Sequence, residues 1–498
     1  MPTIIPTDRN QLTFMSSLDD MVTPDHPVRL MDALIDKIIE LDTDFFNHLA
    51  PQSSVGRRGY SAAALLKLYM YGYIHGISSS RKLAAEAKRN IEVIWLLSGL
   101  KPSYKTIADY RRDYPGQIQR VNEQIVRFLL DNGWIDGERI GIDGTKLKAY
   151  TGWDMTDRQV LDKRLAKARG QLNGWLEQLI ANDLADEMDR ERDDEGDSFG
   201  HESNIMNEID RLHQKIQRLE GLKQELGRRQ AARISGADPD ARLMKSARSG
   251  KHPAYNLQIS VDSASKMIVS ASATDHPTDF EQLTPMFWAS AARLGKIPDE
   301  VLADTGYADL ADVQAIEEQT TATCYIPENN TPVKNRTIQF TYRPQADEYE
   351  CSQGQRLVPT AKGRYHKAKQ VYMDIYRGTT CTDCSVARQC TTAKNGVRQL
   401  RVYHGAEWRH GYAKRLSSRY GKQRIAERKG LVEHVFGTLR YWMGQIPLKL
   451  RGLRKVQTEI DLYSGAYNLK RWTGMNDSFK ELMGQVTGWK PNRSLHPG

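Results

Sequence analysis

The chain has 498 residues, enough for about three domains and for large cores that need no disulfide staples. Its 71 basic and 62 acidic residues give a net charge of +9, and its five cysteines argue against a secreted disulfide scaffold. No stretch approaches the ~18 continuous apolar residues of a membrane span, and Met1–Pro6 lacks a charged segment followed by an apolar one, so the expectation is a soluble, cytoplasmic protein without a membrane partner.

Residues from about 28 to 130 read as helical. Ser61 is placed to cap an apolar helix through Tyr71, and Gly76 breaks it. Ser78 to Ser80 can cap a helix from Arg81 to Leu97, ended by Gly99 and Pro102. Ser103 precedes a third helix, Tyr104 to Arg112. Short helices, tight turns and basic positions are compatible with a helix-turn-helix DNA reader and equally with a plain bundle.

Ile140 to Tyr150 reads as a strand, with Ile140 and Ile142 on one face and Gly141, Asp143 and Thr145 on the other. A polar helical region follows, roughly Asp157 to Arg229. Its acidic centre, with Gly196, Ser198 and Gly200, reads as a loop. Leu212, Ile216, Leu219, Leu222 and Leu226 suggest an antiparallel helical hairpin. Strands are predicted at Ala254 to Val261 and Lys266 to Ala273. A helix follows from about Thr278 to Leu294, then a strand from Val301 to Ala303. A helix from about Asp309 to Glu318 and a strand from Ala322 to Ile326 come next. The segment from Pro327 to about Val402 is irregular and carries cysteines, and a long helix spans about Ala413 to Met443. Without the two insertions, a hairpin leads into strand–helix alternation. That is a mixed sheet covered by helices, in the element order of the ribonuclease-H-like fold.

Charge is uneven along this order. Residues 401–460 hold 14 Lys or Arg against 4 Asp or Glu, whereas 183–210 hold 2 against 12. A basic block in a folded region points to a polyanionic partner or to a solvated helix face.

Three carboxylates are hard to explain as packing. Asp143 lies in the first strand beside Gly141 and Gly144, small neighbours that let a nucleic-acid backbone approach. Asp304 closes a strand and precedes Thr305-Gly306, at the strand end where α/β sheets bind ligands. Glu433 shares a helix face with Lys429, Gly437 and Arg440, opposite a stripe of Ile425, Val432, Val435, Phe436, Leu439 and Trp442 that should pack on the sheet. Three such acids can hold two magnesium ions for in-line attack at a phosphodiester, with Asp143 placed to bridge them.

The ordered motifs Ile142-Asp143-Gly144-Thr145-Lys146, Ala254-Tyr255-Asn256-Leu257-Gln258, Ala303-Asp304-Thr305-Gly306-Tyr307 and Val432-Glu433-His434-Val435-Phe436-Gly437 continue into a tail. The tail holds Arg451-Gly452-Leu453-Arg454-Lys455-Val456 and Ala466-Tyr467-Asn468-Leu469. From about residue 15 to 473 the chain resembles bacterial insertion-sequence transposases of the DDE type, with a helical N-terminal domain, a ribonuclease-H-like core and a cysteine-bearing insertion. The resemblance implies Asp143, Asp304 and Glu433 as catalytic triad and ligands of Mg2+ or Mn2+. It implies 3′-end cleavage followed by strand transfer. Its partners would be double-stranded DNA, both terminal inverted repeats and target, and a homo-oligomer formed on it. A related subgroup carries a tyrosine and an arginine before the glutamate. Here Arg428 and Lys429 are the nearest basic residues and that tyrosine pattern is absent, so the route of second-strand processing stays open. Asp240 and Asp279 are further acids of the kind the family carries, and Asp279 reads as a first-turn residue favoured by the helix dipole.

The expected domains are 1–135, helical and DNA-binding; 136–473, the catalytic core with a helical hairpin at about 156–235 and the cysteine insertion at 327–402; and the tail 474–498. Cys381 and Cys384 form a C-x2-C pair. With Cys351 and Cys390 they could close a tetrahedral structural zinc site, whereas Cys324 reads as a buried strand residue. Arg424, Arg428, Lys429, Arg440, Arg451, Arg454 and Lys455 are candidates for phosphate contacts. Arg81, Lys82, Lys105 and Arg111 are candidates for reading the terminal repeats. Two other functions fit the same residues: a ribonuclease-H-like nuclease such as a junction resolvase, and a non-catalytic zinc-containing DNA regulator.

Overall fold

The computed structural model describes residues 17–47, 59–190, 199–246, 250–327, 338–366, 371–391, 393–403, 406–443, 448–476 and 478–491. Of the expected acidic loop, Gly196 and Ser198 lie outside them, and Gly200 is helical instead. In chain order the N-terminal helices are α1 (Pro27–Leu41), α2 (Thr43–Asn47), α3 (Ala62–Ile74), α4 (Ser80–Arg89), α5 (Ile91–Leu96), α6 (Tyr104–Asp113) and α7 (Pro115–Asp131). Strand β1 (Arg139–Lys148) and the short β2 (Met155–Thr156) lead into α8 (Arg158–Arg190) and α9 (Phe199–Arg228). Then come β3 (Ile234–Ser235), β4 (Arg242–Ser246), β5 (Gly250–Asp262), β6 (Ile268–Thr274), α10 (Leu283–Leu294) and β7 (Glu300–Leu302). They are followed by α11 (Leu310–Gln319), β8 (Thr323–Tyr325), β9 (Phe340–Arg343), β10 (Glu348–Cys351), β11 (Arg356–His366), β12 (Val371–Gly378), α12 (Ala387–Cys390) and β13 (Gln399–Tyr403). The chain closes with α13 (Ala406–Ser417), α14 (Arg419–Gly437), α15 (Leu453–Thr473) and α16 (Phe479–Gly488).

Caps set many of these ends. Ser61 accepts a hydrogen bond from Ala64 N, as the sequence predicts, and Ser103, expected to precede a helix, accepts one from Thr106 N. The single helix expected from Arg81 to Leu97 is two helices. Asn90 adopts an extended backbone, and its Oδ1 accepts from Glu92 N and Val93 N, which ends α4 and starts α5. The helix expected from Ala413 to Met443 is also divided. Gly421 packs so closely on the Arg415 carbonyl that a Cβ there would overlap it, and the chain turns at Ser418 between α13 and α14.

The chain forms two compact units, Met1–Val301 with Gly430–Gly498, and Leu302–Lys429. In the first, strands run in the order β4-β5-β1-β7, and β6 also pairs with β5. Pairing of β1 with β5 is antiparallel, with Asp143 opposite Ile259 and Gly144 opposite Gln258. Helix α15 is buried along nearly its whole length. It covers β6 with side chains that mimic a neighbouring strand. Asn468 Oδ1 accepts from Ile268 N and its Nδ2 donates to Ile268 O, both at 2.8 Å. Gln457 treats Ala273 N and Ala271 O in the same way. The backbone groups of an edge strand, otherwise open to pairing, are thereby satisfied. The N-terminal helices share this core: the ring of Tyr73 meets that of Tyr463, and Phe128 meets Trp472 edge-on. The predicted helical hairpin is present as α8 and α9, which bury Leu161, Leu165, Ala168, Ile216, Leu219, Leu222 and Leu226 between them.

In the second unit the segment expected to be irregular contains a five-stranded antiparallel sheet, β13-β12-β11-β10-β9. Its alternation is hidden in the sequence because β9 and β10 bury little on either face and β11 carries register shifts between Pro359 and Arg364. Cys324 is fully buried on β8, as expected. Glu317 of α11 ties the core of this unit together: it accepts from Cys324 N, Trp408 Nε1 and Arg415.

Candidate active site

Asp143 sits half-buried near the middle of β1, and its Oδ1 accepts from Gly144 N at 2.8 Å. Gly141, two residues earlier on the same face, gives room to the helix that carries Glu433. A Cβ on Gly141 would come within 3.2 Å of Leu431 Cδ1 and 3.9 Å of Val432 Cγ2. At the other end, Arg440 donates to Thr145 Oγ1. From Leu431 to Arg440 a helix rises about 13 Å, and from Gly141 to Thr145 a strand rises about 13 Å. The helix therefore runs alongside β1 in the same sense, and carries exposed Glu433 past the face that presents Asp143.

The stripe opposite Glu433 is buried at Val432, Val435, Phe436 and Leu439. Trp442 departs from it and is 74% exposed, and Ile425 is only half-buried. The helix widens into a π turn over Thr438–Trp442, which rotates Trp442 off the predicted stripe.

Asp304 belongs to the second unit. It caps a short 3-10 turn, Thr305–Tyr307, by accepting from Gly306 N at 2.8 Å, and Arg428 lies 3.6 Å from its Oδ2. The carboxylate remains 40% exposed.

Seven of the predicted basic contacts are at the surface, Arg428 and Arg440 are half-buried, and Arg111 and Arg424 are buried. Arg81, Lys82, Lys105, Lys429, Arg451, Arg454 and Lys455 are exposed, with Arg81 over the Tyr104 ring and Arg451 over the Tyr150 ring. Arg111 is only 7% exposed and donates to Tyr73 Oη and Ser78 O, so it braces the helical core instead of meeting DNA. Arg424 is only 8% exposed, paired with Glu427 and stacked on Tyr420. Sequence periodicity placed both on helices but could not show which way they face.

Asp279 is not a first-turn residue. Helix α10 begins at Leu283, after a loop in which Glu281 takes a positive φ. The Asp279 carboxylate turns inward, where Lys146 Nζ, Asn256 Nδ2 and Gln258 Nε2 all reach its Oδ1 at 2.8 Å. Burial pushes this carboxyl up, but the three donors outweigh burial and hold it below the ordinary aspartate value. The sequence did carry a signal. Asn256 and Gln258 alternate with Leu257 and Ile259 in a strand that is buried from His252 to Asp262, so the polar pair needed partners.

Cys351, Cys381, Cys384 and Cys390 line one cavity of about 20 Å³. Burial pushes the Cys390 thiol up, Arg398 opposes this, and the other three sulfurs add to it. Gly378 is required there, because a Cβ would overlap Cys381 Sγ. Gln355 N donates to Cys351 Sγ at 3.4 Å. Among the described residues, no three His, Cys, Asp or Glu side chains stand gathered as a ready-made metal site.

Residues 16–113 match the family model described as "Transposase domain (DUF772)", and residues 350–473 match "Transposase DDE domain". The chain is a DDE transposase. The second match includes Glu433 and the four cysteines that line the cavity, while Asp143 and Asp304 lie outside both matched segments. Neither a curated protein nor a solved structure matches the transposase. Among its described residues, no helix is long and apolar enough to cross a membrane. As a transposase it acts on DNA.

Proposed function

We propose that this transposase cuts insertion-sequence ends and joins the resulting 3′-hydroxyls to target DNA, with Asp143, Asp304 and Glu433 as its catalytic carboxylates. The observation that carries the reading is the run of the Glu433 helix along the Asp143 face of β1, braced at Gly141 and Thr145. The order β6-β5-β1-β7 with an antiparallel β1–β5 pair supports a ribonuclease-H-like core. An all-carboxylate donor set suits Mg2+ or Mn2+. Bound there, two such ions would supply Lewis acidity to both the attacking and the leaving oxygen of an in-line displacement.

The chain's own residues have separate tasks. The Gly144 amide aims Asp143. Arg440, held at Thr145, fixes a cation beside the reacting phosphodiester. Exposed Lys429, Arg451, Arg454 and Lys455 neutralise phosphates along the duplex, and Arg81, Lys82 and Lys105 reach the terminal repeats. Two copies acting together would hold the paired ends. In the second unit the cavity between Cys351, Cys381, Cys384 and Cys390 has room for one zinc ion, and thiolates are the donors zinc prefers. Such an ion would be structural.

The test is cleavage and joining of a labelled duplex carrying the element's own ends, in Mg2+ or Mn2+, by wild type, Asp143→Ala, Asp304→Ala and Glu433→Ala. Joined product from the wild type alone is expected. Cutting without joining would replace the transposase mechanism by that of a nuclease. Equal activity in any variant would remove that residue from the triad.

A further inference from the structure

Gly144 follows Asp143 directly, and its glycine identity is needed for room and not for torsion. It is absent from the glycines with positive φ. A Cβ there would overlap Asp279 Oδ1 and Gln258 Nε2 and lie 3.1 Å from Asn256 Oδ1. The chain therefore presses the backbone of β1 directly onto a polar cluster. Register explains the fit, since Gly144 pairs with Gln258 and Lys146 with Asn256. Lys146, Asn256 and Gln258 project from one face of two adjacent strands, opposite the face that bears Asp143, and Asp279 meets them from the loop before α10.

The cluster is built around one carboxylate. Lys146 Nζ binds both Asp279 oxygens, at 2.8 and 2.9 Å. Asn256 Nδ2 and Gln258 Nε2 add two more donors to Oδ1, and Asn256 Nδ2 also reaches Thr278 O at 3.3 Å. Asn256 and Gln258 are fully buried. Asn256 Oδ1 has no hydrogen-bond partner among the described residues and points toward Gly144. An interior polar group left unsatisfied costs stability, so a cluster that keeps one is doing something other than packing.

We propose that Lys146, Asn256, Gln258 and Asp279 are positioning residues that set the direction of the Asp143 carboxylate through Gly144. The route is short. Asp279, fixed by three donors, sets the height of Gly144 in the sheet. The Gly144 amide then donates to Asp143 Oδ1 and selects its rotamer. Asp143 is thus oriented from the far side of the sheet, by residues that touch neither DNA nor metal. This extends the proposed transposase chemistry and rests on Asp143 being a catalytic acid.

The test compares full-length wild type with Asp279→Asn, Lys146→Met, Lys146→Arg and Asp143→Asn. Three readouts are taken on each: cleavage of the end duplex with kcat and KM separated, Mn2+ affinity by calorimetry, and hydrogen exchange of the peptide containing Gly144. Circular dichroism checks folding. Asp279→Asn and Lys146→Met should bind end DNA within about twofold of wild type and lower kcat about a hundredfold, the cost of a small misplacement. They should bind Mn2+ more weakly and exchange the Gly144 amide faster, and Lys146→Arg should recover part of each. Wild-type kcat, Mn2+ affinity and exchange in a folded Asp279→Asn would overturn the proposal. So would a rate loss that only follows the folded fraction. If the wild type itself neither cuts DNA nor binds Mn2+, the transposase chemistry fails, and exchange at Gly144 alone then decides whether the cluster controls that amide.

Discussion

The two units differ in how much of the setting of their candidate residues comes from distant partners. In the first, the surroundings of Asp143 and Glu433 depend on partners far apart in sequence: Thr145 with Arg440, Gly141 with Leu431, Lys146 with Asp279. In the second, Asp304 accepts from Gly306 two residues on, with Arg428 of a later helix 3.6 Å from its other oxygen, and two of the cavity cysteines lie three residues apart. Local placement survives in a loosened fold, because a turn hydrogen bond needs only its own turn. Long-range placement exists only when the whole sheet and helix are assembled. Defects in the first unit should therefore act at a distance, and defects in the second should stay near where they are made.

The sharpest test of this contrast is Gly378→Ala. Its Cβ would overlap Cys381 Sγ, so zinc bound by the purified protein should fall from one equivalent toward none, while α-helical circular dichroism changes little. A wild type without zinc would remove the metal from the cysteine cavity. Arg440→Ala should come next. It is expected to slow cleavage about 10- to 100-fold, with Arg440→Lys intermediate because a lysine keeps charge but loses the fork. Equal rates for the three proteins would break the link between Thr145 and the site.

A third test uses pH. Burial raises the Asp461 carboxyl to about 6, against Arg293, Gln457 and Asn122, which lower it. A folded-state value above the unfolded one means that the stability of the neutral form is fully present below about pH 4 and lost as pH rises through 6. Asp461→Asn should thus match wild type in acid and exceed it by roughly 2–3 kcal/mol above pH 6. Chemical denaturation at pH 4 and pH 7 checks this, and a constant difference would show that the carboxyl does not titrate there. The smallest effect is local. Ser103→Ala should cost about 1 kcal/mol by removing one cap, without altering cleavage by folded protein.

The same contrast explains what the sequence could reveal. Caps at Ser61 and Ser103, the strand faces of Ile142 and Asp143, and buried Cys324 were legible, because each depends on neighbours within a few residues. The seam between α8 and α9 was legible because its period repeats. What was hidden needed a distant partner. Arg111 looks like a surface cation until Tyr73 is placed beside it. Asp279 looks like a helix-start acid until Lys146 is placed beneath it. Trp442 needed the π turn, which period-3.6 reasoning cannot anticipate. The sheet β9–β13 needed strand pairing that its mixed, shallow burial pattern does not advertise.

Helix α15 closes the open side of β6 with two amide side chains and also receives Tyr73 and Phe128 from the N-terminal helices. A chain terminated early, before Leu453, would lose both at once. Its N-terminal helices would be left with bare aromatic surface and its sheet with an unpaired rim, the combination that drives self-association into insoluble material. Shortened forms ending before α15 should therefore be cleared or aggregate, and would not persist as competitors for the element's ends.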